Sequence, residues 1–159
     1  MVKEVINNTS KVWIYQADRS FEELEIAAIE KILKNFVDTW QSHGENVKGY
    51  FKIVKNRFII LIADDSTNVS GCSIDSSVAV VRELSSTLNV DLLDKSQIAF
   101  EKEDGSIDSI HISKIATAVK NNDIEPQTII YNNAISSLGE LDRNWKVKAE
   151  DSWMNRYFK

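Results

Sequence analysis

The chain has 159 residues, of which 43% are hydrophobic and 27% charged, and this size and composition predict one globular domain spanning residues 1–159. The formal net charge of −5 argues against nucleic acid as a partner, because the average field of the chain repels phosphate. The single cysteine excludes an intramolecular disulfide and a cysteine-rich zinc site.

The first predicted elements are a strand and an amphipathic helix. Residues 11–16, KVWIYQ, alternate as a strand does and are rich in β-formers. Ser20 and Glu23 have the spacing of a capping box, which predicts that the helix begins there. It is expected to end near His43, with Gly44 in the left-handed position that follows a helix. Its apolar residues recur at helical spacing: Phe21, Leu24, Ala28, Ile32, Phe36 and Trp40.

Two strands and a second helix follow. Residues 47–54 alternate and residues 57–63 contain FIILIA, with a short turn at Lys55 and Asn56 between them. A strand that is apolar at every position suits the centre of a sheet covered on both faces. A polar loop over residues 64–73 then leads into a helix predicted from about Ile74 to Leu88.

The last third of the chain predicts a hairpin, a short helix and a final strand. Residues 97–102 and 107–112 flank Asp104 and Gly105, a pair that favours a primed hairpin turn. Ser113 is a candidate cap for a helix through Val119, and residues 128–131 read as a strand. The tail from residue 134 is less regular.

The order β-α-β-β-α-β, followed by β-α-β, predicts an α+β fold with a ferredoxin-like core. In such a core the sheet is mostly antiparallel and the helices lie on one face. We expect residues 1–10 to form an arm, residues 11–102 to form the ferredoxin-like core, and residues 103–159 to form an extension packed on it. This fold hosts many unrelated activities, so it says little about function.

The loop that leads from the buried strand into the second helix is the candidate site. Helix N-termini attract anions, and a thiol placed there favours its thiolate form. The candidate catalytic residues are Cys72, Asp75 and Asp64, and the candidate anion-binding residues are Ser70, Gly71, Ser73, Ser76 and Ser77. In the alternative interpretation Cys72 is a small buried hydrophobe, and Ser73 and Asp75 cap the helix.

The remaining side chains offer fewer candidates. Two histidines, His43 and His111, exclude a multi-histidine metal site, and aspartates beside the loop more often start loops and cap helices than hold magnesium. We therefore predict no metal and no cofactor. The aromatic tail is a candidate interaction surface or homodimer contact, unless it docks on its own domain. Its residues are Trp153, Tyr157 and Phe158.

Four segments, KVWIYQ at 11–16, WQSHG at 40–44, GCSIDSSV at 71–78 and DSW at 151–153, resemble a group of uncharacterised bacterial proteins of similar length. Members of that group are often labelled "ABC transporter ATPase". An ATP-binding cassette needs G-x-x-x-x-G-K-[ST] to hold phosphates. Gly44 and Gly49 have the glycine spacing, but Tyr50 stands in the lysine position. The residues therefore argue against the ATPase label.

Three functional hypotheses remain open, of which the last is a purely structural role without a ligand. The first is a non-enzymatic domain that binds a small anionic ligand or a protein partner, which the lack of a complete catalytic motif favours. The second is a small enzyme or redox sensor that uses Cys72. No stretch approaches the roughly 18 apolar residues that span a bilayer, so we expect a cytoplasmic protein without a membrane partner.

Overall fold

The computed structural model of the chain describes residues 6–42, 44–64 and 71–159, apart from the side chains of residues 42 and 71–75. The strands are β1 (Lys11–Gln16), β2 (Gln41–Ser42), β3 (Glu45–Asn46), β4 (Gly49–Val54), β5 (Phe58–Ala63), β6 (Gln97–Glu101), β7 (Ile107–His111), β8 (Ile129–Tyr131) and β9 (Lys146–Lys148). The α-helices are α1 (Glu23–Thr39), α2 (Gly71–Leu88), α3 (Ile115–Lys120) and α4 (Leu138–Asn144). Short 3₁₀ helices cover Ile112–Lys114, Ala149–Asp151 and Trp153–Phe158.

The strands form two antiparallel sheets and one small hairpin. The first sheet has the order β1-β5-β4, and the second has the order β7-β6-β8-β9. The hairpin pairs β2 with β3. The α+β class predicted from the sequence is therefore confirmed.

The apolar strand β5 lies at the centre of the first sheet and is buried along its whole length, as its composition predicts. Successive side chains of a strand point to opposite faces. Ile59 and Leu61 accordingly pack with residues of α1 and α2, such as Leu33 and Leu84. The opposite face carries Phe58, Ile60 and Ile62, which pack against the second sheet together with Tyr131 and Trp145.

The far face of the second sheet is also covered. Phe100 of β6 and Ile130 of β8 pack there with Ile115 of α3 and with Met154 of the 3₁₀ helix Trp153–Phe158. The fold therefore has four layers, in the order helices, sheet, sheet, helices. The helices α1 and α2 cover only the outer face of the first sheet.

The predicted ferredoxin-like arrangement is wrong in its strand order. The expectation placed the sixth element, β6, in one sheet with β1, β4 and β5. Instead β6 pairs with β7 and β8 in the second sheet. Strand pairing is a long-range choice, and here it buries both faces of β6, because Ala99 packs toward the first sheet and Phe100 packs against α3. The predicted core of residues 11–102 thus extends across both sheets.

Helix α1 begins two residues later than Ser20 and Glu23 predict. Its N-cap is Glu22, and the capping box joins Glu22 to Glu25. The Glu25 carboxylate also accepts two short hydrogen bonds from Arg19, at 2.7 and 2.8 Å. The hydrogen bond from Arg19 is the main cause that lowers the pKa of Glu25 to about 2. Because the Glu25 carboxylate accepts both from the Glu22 N–H and from Arg19, it holds the start of the helix at this point.

Helix α1 ends at Thr39, short of the predicted end near His43, which lies outside the described residues. The next residue, Trp40, has an extended backbone and is only 2% exposed. Its ring packs on Phe36 and Trp13, with ring centroids 5.0 and 5.8 Å apart. Burying this large ring favours leaving the helix. Gly44 has φ +82°, as predicted for a left-handed residue, but it lies in the turn between β2 and β3.

The two predicted tight turns have different outcomes. Lys55 and Asn56 have φ angles of 55° and 53°, and the Arg57 N–H donates to the Val54 carbonyl at 3.1 Å, so the short turn predicted there is present. At the second hairpin Gly105 has φ +83°, whereas Asp104 does not have a positive φ, and the Gly105 N–H donates to the Lys102 carbonyl at 2.9 Å. That hairpin has a longer loop with one left-handed glycine, so the primed turn predicted there is wrong.

We expect replacement of Gly49 by alanine to lower the free energy of unfolding by about 1–3 kcal/mol, because overpacking a filled core is destabilising. A Cβ atom at Gly49 would lie 2.5 Å from Cε3 of the buried Trp40 ring. Urea unfolding measures the loss. In a Trp40→Leu background the same substitution should cost less, since the clashing ring atoms are gone. An equal loss in both backgrounds would show that Trp40 is not the cause.

Candidate functional site: a cleft beside the open edge of β1

Most of the loop predicted as a site lies outside the described part of the chain. Helix α2 begins at Gly71, three residues before the predicted start, so Cys72 belongs to its first turn. Residues 65–70 and the side chains of residues 71–75 are not described. The roles assigned to Ser70, Gly71, Cys72, Ser73 and Asp75 therefore stay predictions.

Three residues of that site can be placed. Asp64 follows β5, is partly buried, and donates its backbone N–H to the Lys48 carbonyl at 2.8 Å. Ser76 is exposed, while Ser77 is fully buried, with its Oγ 3.4 Å from the Tyr15 hydroxyl. Burial raises the pKa of Tyr15, and the hydrogen bond to Ser77 acts in the opposite direction. Ser77 therefore lies between α2 and β1 within the core.

His111 has a local structural role. Its Nδ1 accepts a hydrogen bond from the Ser113 N–H at 3.1 Å and lies 2.8 Å from the Ser113 hydroxyl. This arrangement caps the 3₁₀ helix Ile112–Lys114. Ser113 is therefore not the cap of α3, as predicted, because the 3₁₀ turn comes first and α3 starts at Ile115.

The aromatic tail packs on its own domain with one ring left exposed. Tyr157 and Phe158 pack against the core formed with Met154, and the Arg156 guanidinium lies 4.9 Å from the centre of the Tyr157 ring. Trp153 remains 41% exposed, and its ring centroid is 6.4 Å from that of Tyr157. Trp153 also lines the cleft described next.

A cleft of about 450 Å³ lies beside the outer edge of β1, where the two sheets meet. It is lined by β1, by the segment of residues 92–98, by the segment of residues 131–136 and by Trp153. Its walls are thus drawn from both sheets and from the two loops that lead into β6 and away from β8.

The hydrogen-bond pattern shows which backbone groups of β1 face the cleft. The N–H of Ala17, which continues β1, donates to the Arg57 carbonyl at 2.8 Å, so the odd-numbered residues pair with β5. The even-numbered residues face outward. Val12 donates to the Ser136 carbonyl and Asp18 to the Asp91 carbonyl, both at 3.1 Å.

Between these two closed ends lie Ile14 and Gln16. Within the described part of the chain, their outward N–H and C=O groups have no hydrogen-bond partner. Gln16 is only 7% exposed. Unpaired backbone groups at so buried a position are rare in folded proteins. The middle of the β1 edge is therefore open, although both of its ends are paired.

The edge is open because the chain that covers its start turns away. Residues 136–138 run antiparallel to the start of β1, and the Leu138 N–H donates to the Ser10 carbonyl at 2.9 Å. The same register would place Ala134 opposite Ile14. The chain diverges before that point, because β8 pairs with β6 and β9 in the second sheet. The side chain of Ile135, in the segment that diverges, is buried between the two sheets.

A chain of side-chain hydrogen bonds holds the walls of the cleft together. Trp145 Nε1–H donates to Asn133 Oδ1 at 2.9 Å, and Asn133 Nδ2–H donates to Gln16 Oε1 at 2.9 Å. Gln16 Nε2–H then donates to the Gln97 carbonyl at 3.3 Å. Because an indole N–H can only donate, it fixes the orientation of both amides. The network joins β1 to both loops that form the cleft.

The loop of residues 91–96 is ordered by its own carboxylates. Asp91 Oδ1 accepts hydrogen bonds from the N–H groups of Leu93 and Asp94, at 3.0 and 3.1 Å. Asp94 Oδ1 accepts from the Ser96 N–H at 2.8 Å and from its hydroxyl. These bonds from Ser96 are the main causes that lower the pKa of Asp94. Asp94 and the neighbouring Lys95 therefore place one charge of each sign at the rim.

Tyr131 turns its hydroxyl group toward β6. The hydroxyl donates to Glu101 Oε1 at 2.6 Å, and Lys146 Nζ lies 3.2 Å from the same oxygen. Burial and the neighbouring carboxylate raise the pKa of Tyr131. Burial opposes ionisation of Glu101, but the hydrogen bonds from Tyr131 and Lys146 outweigh it and lower its pKa.

No family model, curated protein or solved structure matches the chain. In the described part of the chain, none of the helices is both long enough and apolar enough to cross a bilayer.

Proposed function

We propose that this protein is a binding domain whose ligand occupies the cleft beside the open edge of β1. The observation that carries the proposal is the pair of outward backbone positions, Ile14 and Gln16, that no described residue satisfies. A volume of about 450 Å³ is within the usual range of ligand sites. Such a site combines apolar walls with a few oriented polar groups, which is also the chemistry here.

The cleft favours a ligand with an apolar body and hydrogen-bonding groups. Apolar residues line it on several sides, including Trp13, Leu93 and Ile135. The rim carries Asp94 and Lys95, so its charge does not select for an anion. The hydrogen-bond network through Gln16 and Asn133 supports a site that is formed before the ligand arrives, which reduces the ordering cost of binding.

Several predictions from the sequence stay predictions. They are a cytoplasmic location, the lack of an enzymatic activity, an anionic ligand, a homodimer and the resemblance to the bacterial group. The alternative of an enzyme or redox sensor rests on Cys72 in the first turn of α2, and the described side chains do not include it.

The proposal is tested with N-benzylacetamide, which joins an aromatic ring to one peptide group. We expect binding with a dissociation constant on the order of millimolar, as suits so small a ligand. In ¹⁵N-labelled protein the backbone amides of Ile14, Gln16 and Ala134 should shift on titration. The amides of Ser109 and Asn122, which line a separate depression, should not.

A matched pair of variants locates the binding. Ala134 is exposed at the cleft, so Ala134→Trp should fill it and weaken binding by at least about tenfold. Ala27→Trp places the same side chain on an exposed position of α1 and should leave binding unchanged. Equal binding by both variants, or shifts confined to other regions, would contradict the proposed function.

A further inference from the structure

The open part of the β1 edge offers a repeating set of backbone groups. Ile14 and Gln16 each present one N–H donor and one C=O acceptor, and they are two residues apart. An antiparallel polypeptide strand presents the complementary groups with the same two-residue repeat. From this we infer that the ligand of the cleft is an extended peptide segment that pairs with β1 as an added strand. The inference rests on the proposed function of the cleft.

The two closed ends of the edge set the length of the segment. The Ser136 carbonyl accepts the outward hydrogen bond of the Val12 N–H, and the Asp91 carbonyl accepts that of the Asp18 N–H. These positions are six residues apart, a span of roughly 20 Å for a strand. About four or five peptide residues would fit between them, enough to pair with both Ile14 and Gln16. Because residues 136–138 already run antiparallel beside β1, an antiparallel peptide would continue an arrangement that this edge accepts.

The walls of the cleft select the side chains of such a peptide. On the face of the first sheet that carries Trp13 and Tyr15, alternate peptide side chains would meet Leu93. On the opposite face, between the two sheets, the others would meet Tyr131 and Ile135. Both faces are apolar, which favours valine, isoleucine or an aromatic residue at both sets of positions. The opposite charges of Asp94 and Lys95 at the rim add no preference for a charged peptide.

The test uses the capped pentapeptide acetyl-Thr-Val-Ile-Val-Thr-amide, which places an apolar side chain on each face, and an analogue with its three central amides N-methylated. N-methylation removes the backbone donors and keeps the side chains. We expect the unmodified peptide to slow hydrogen exchange of the Ile14 and Gln16 amides by at least about tenfold at saturation. The N-methylated analogue should bind at least about tenfold more weakly, since it loses hydrogen bonds in a partly buried edge.

A backbone substitution provides an independent readout. Ile14→Pro removes the N–H that faces the cleft and leaves the bonds to β5 intact, because residue 14 is not hydrogen-bonded to that strand. The variant should lose peptide binding by at least about tenfold, while the matched Ile14→Val variant retains it. Circular dichroism checks that both are folded. If Ile14→Pro does not fold, the comparison of the unmodified and N-methylated peptides still tests whether the ligand pairs with β1 as a strand.

The outcomes separate this inference from the proposed function. Equal binding of the two peptides would overturn strand addition. Binding of N-benzylacetamide in the cleft without binding of the pentapeptide would overturn the inference and leave the proposed function in place. Slow exchange of the Ile14 amide in the free protein would also overturn it. In that last case, size-exclusion chromatography with light scattering identifies what protects the edge. A dimer would mean that a second copy covers it, and a monomer would mean that the segment of residues 132–135 does.

Discussion

The Arg57→Met variant is expected to lose about 3–5 kcal/mol of unfolding free energy, because a buried hydrogen-bond donor is removed from several acceptors at once. Arg57 is 6% exposed. Its guanidinium donates to the carbonyls of Ala17, Asp18 and Ile107, at 3.2, 3.1 and 2.9 Å. Burial lowers its pKa, and the charges of Asp108 and Asp18 partly oppose that shift.

The position of these acceptors explains the size of the effect. Ala17 and Asp18 follow β1 in the first sheet, while Ile107 begins β7 in the second. Arg57 therefore joins the two sheets where β5 starts. Methionine fills a similar space but leaves the three carbonyls without this donor, and unsatisfied buried polar groups cost about 1–3 kcal/mol each. The total loss is smaller than three such costs added together, because the carbonyls of Asp18 and Ile107 are only partly buried.

Urea unfolding of three variants checks this prediction. Arg57→Lys should give an intermediate loss, because one ammonium group cannot reproduce the fork of donors. The matched control is Arg82→Met on the exposed surface of α2, which should stay within about 0.5 kcal/mol of the parent protein. A loss below about 1 kcal/mol for Arg57→Met would mean that the contacts of Arg57 contribute little to stability.

The second large effect is expected at Trp145. The Trp145→Ala variant should lose about 3–5 kcal/mol, because a large buried ring leaves a cavity that the surroundings fill only partly. The Trp145 ring is 6% exposed, and its centroid lies 5.0 Å from those of both Phe58 and Tyr131. This aromatic cluster lies at the centre of the interface between the two sheets.

Trp145→Phe separates the hydrogen bond from the packing. Phenylalanine keeps part of the ring contact but cannot donate to Asn133 Oδ1, so the network that ends at Gln97 loses its orienting donor. We expect a loss of about 1–3 kcal/mol and faster hydrogen exchange in the segment of residues 132–136. Trp153→Phe changes an exposed tryptophan of the cleft wall and is the control for stability. Equal losses for the two phenylalanine variants would contradict the role of the network.

The elements that depend on local pattern could be predicted from the sequence. The bounds of β1, the end of α2 at Leu88 and the position of the short turn at Lys55 and Asn56 follow from side-chain periodicity. The central position of β5 follows from its composition, because a strand that is apolar throughout needs cover on both faces. Each of these features is decided within a few neighbouring residues.

The cleft could not be predicted, because its residues come from segments that are distant in the chain. Gln16 at the end of an apolar strand and the pair Asn132 and Asn133 after β8 are the only local signals, and polar residues at strand ends are common. The loop that did look like a site has its signal in one short segment, and that segment is mostly outside the described residues.

The sequence by itself determined β1, α1, β4, β5, α2, β6, β7, α3 and β8 and their order along the chain, since local propensity and periodicity act over short distances. It did not indicate the short elements β2, β3, α4 and β9. Only the tertiary structure decided that β6 joins β7 and β8, that Trp40 ends α1, and that Ile135 turns away from β1. Each of these choices depends on burying apolar side chains between layers that the chain brings together from far apart. The open edge between Val12 and Asp18 results from the third choice, in which Ile135 turns away from β1.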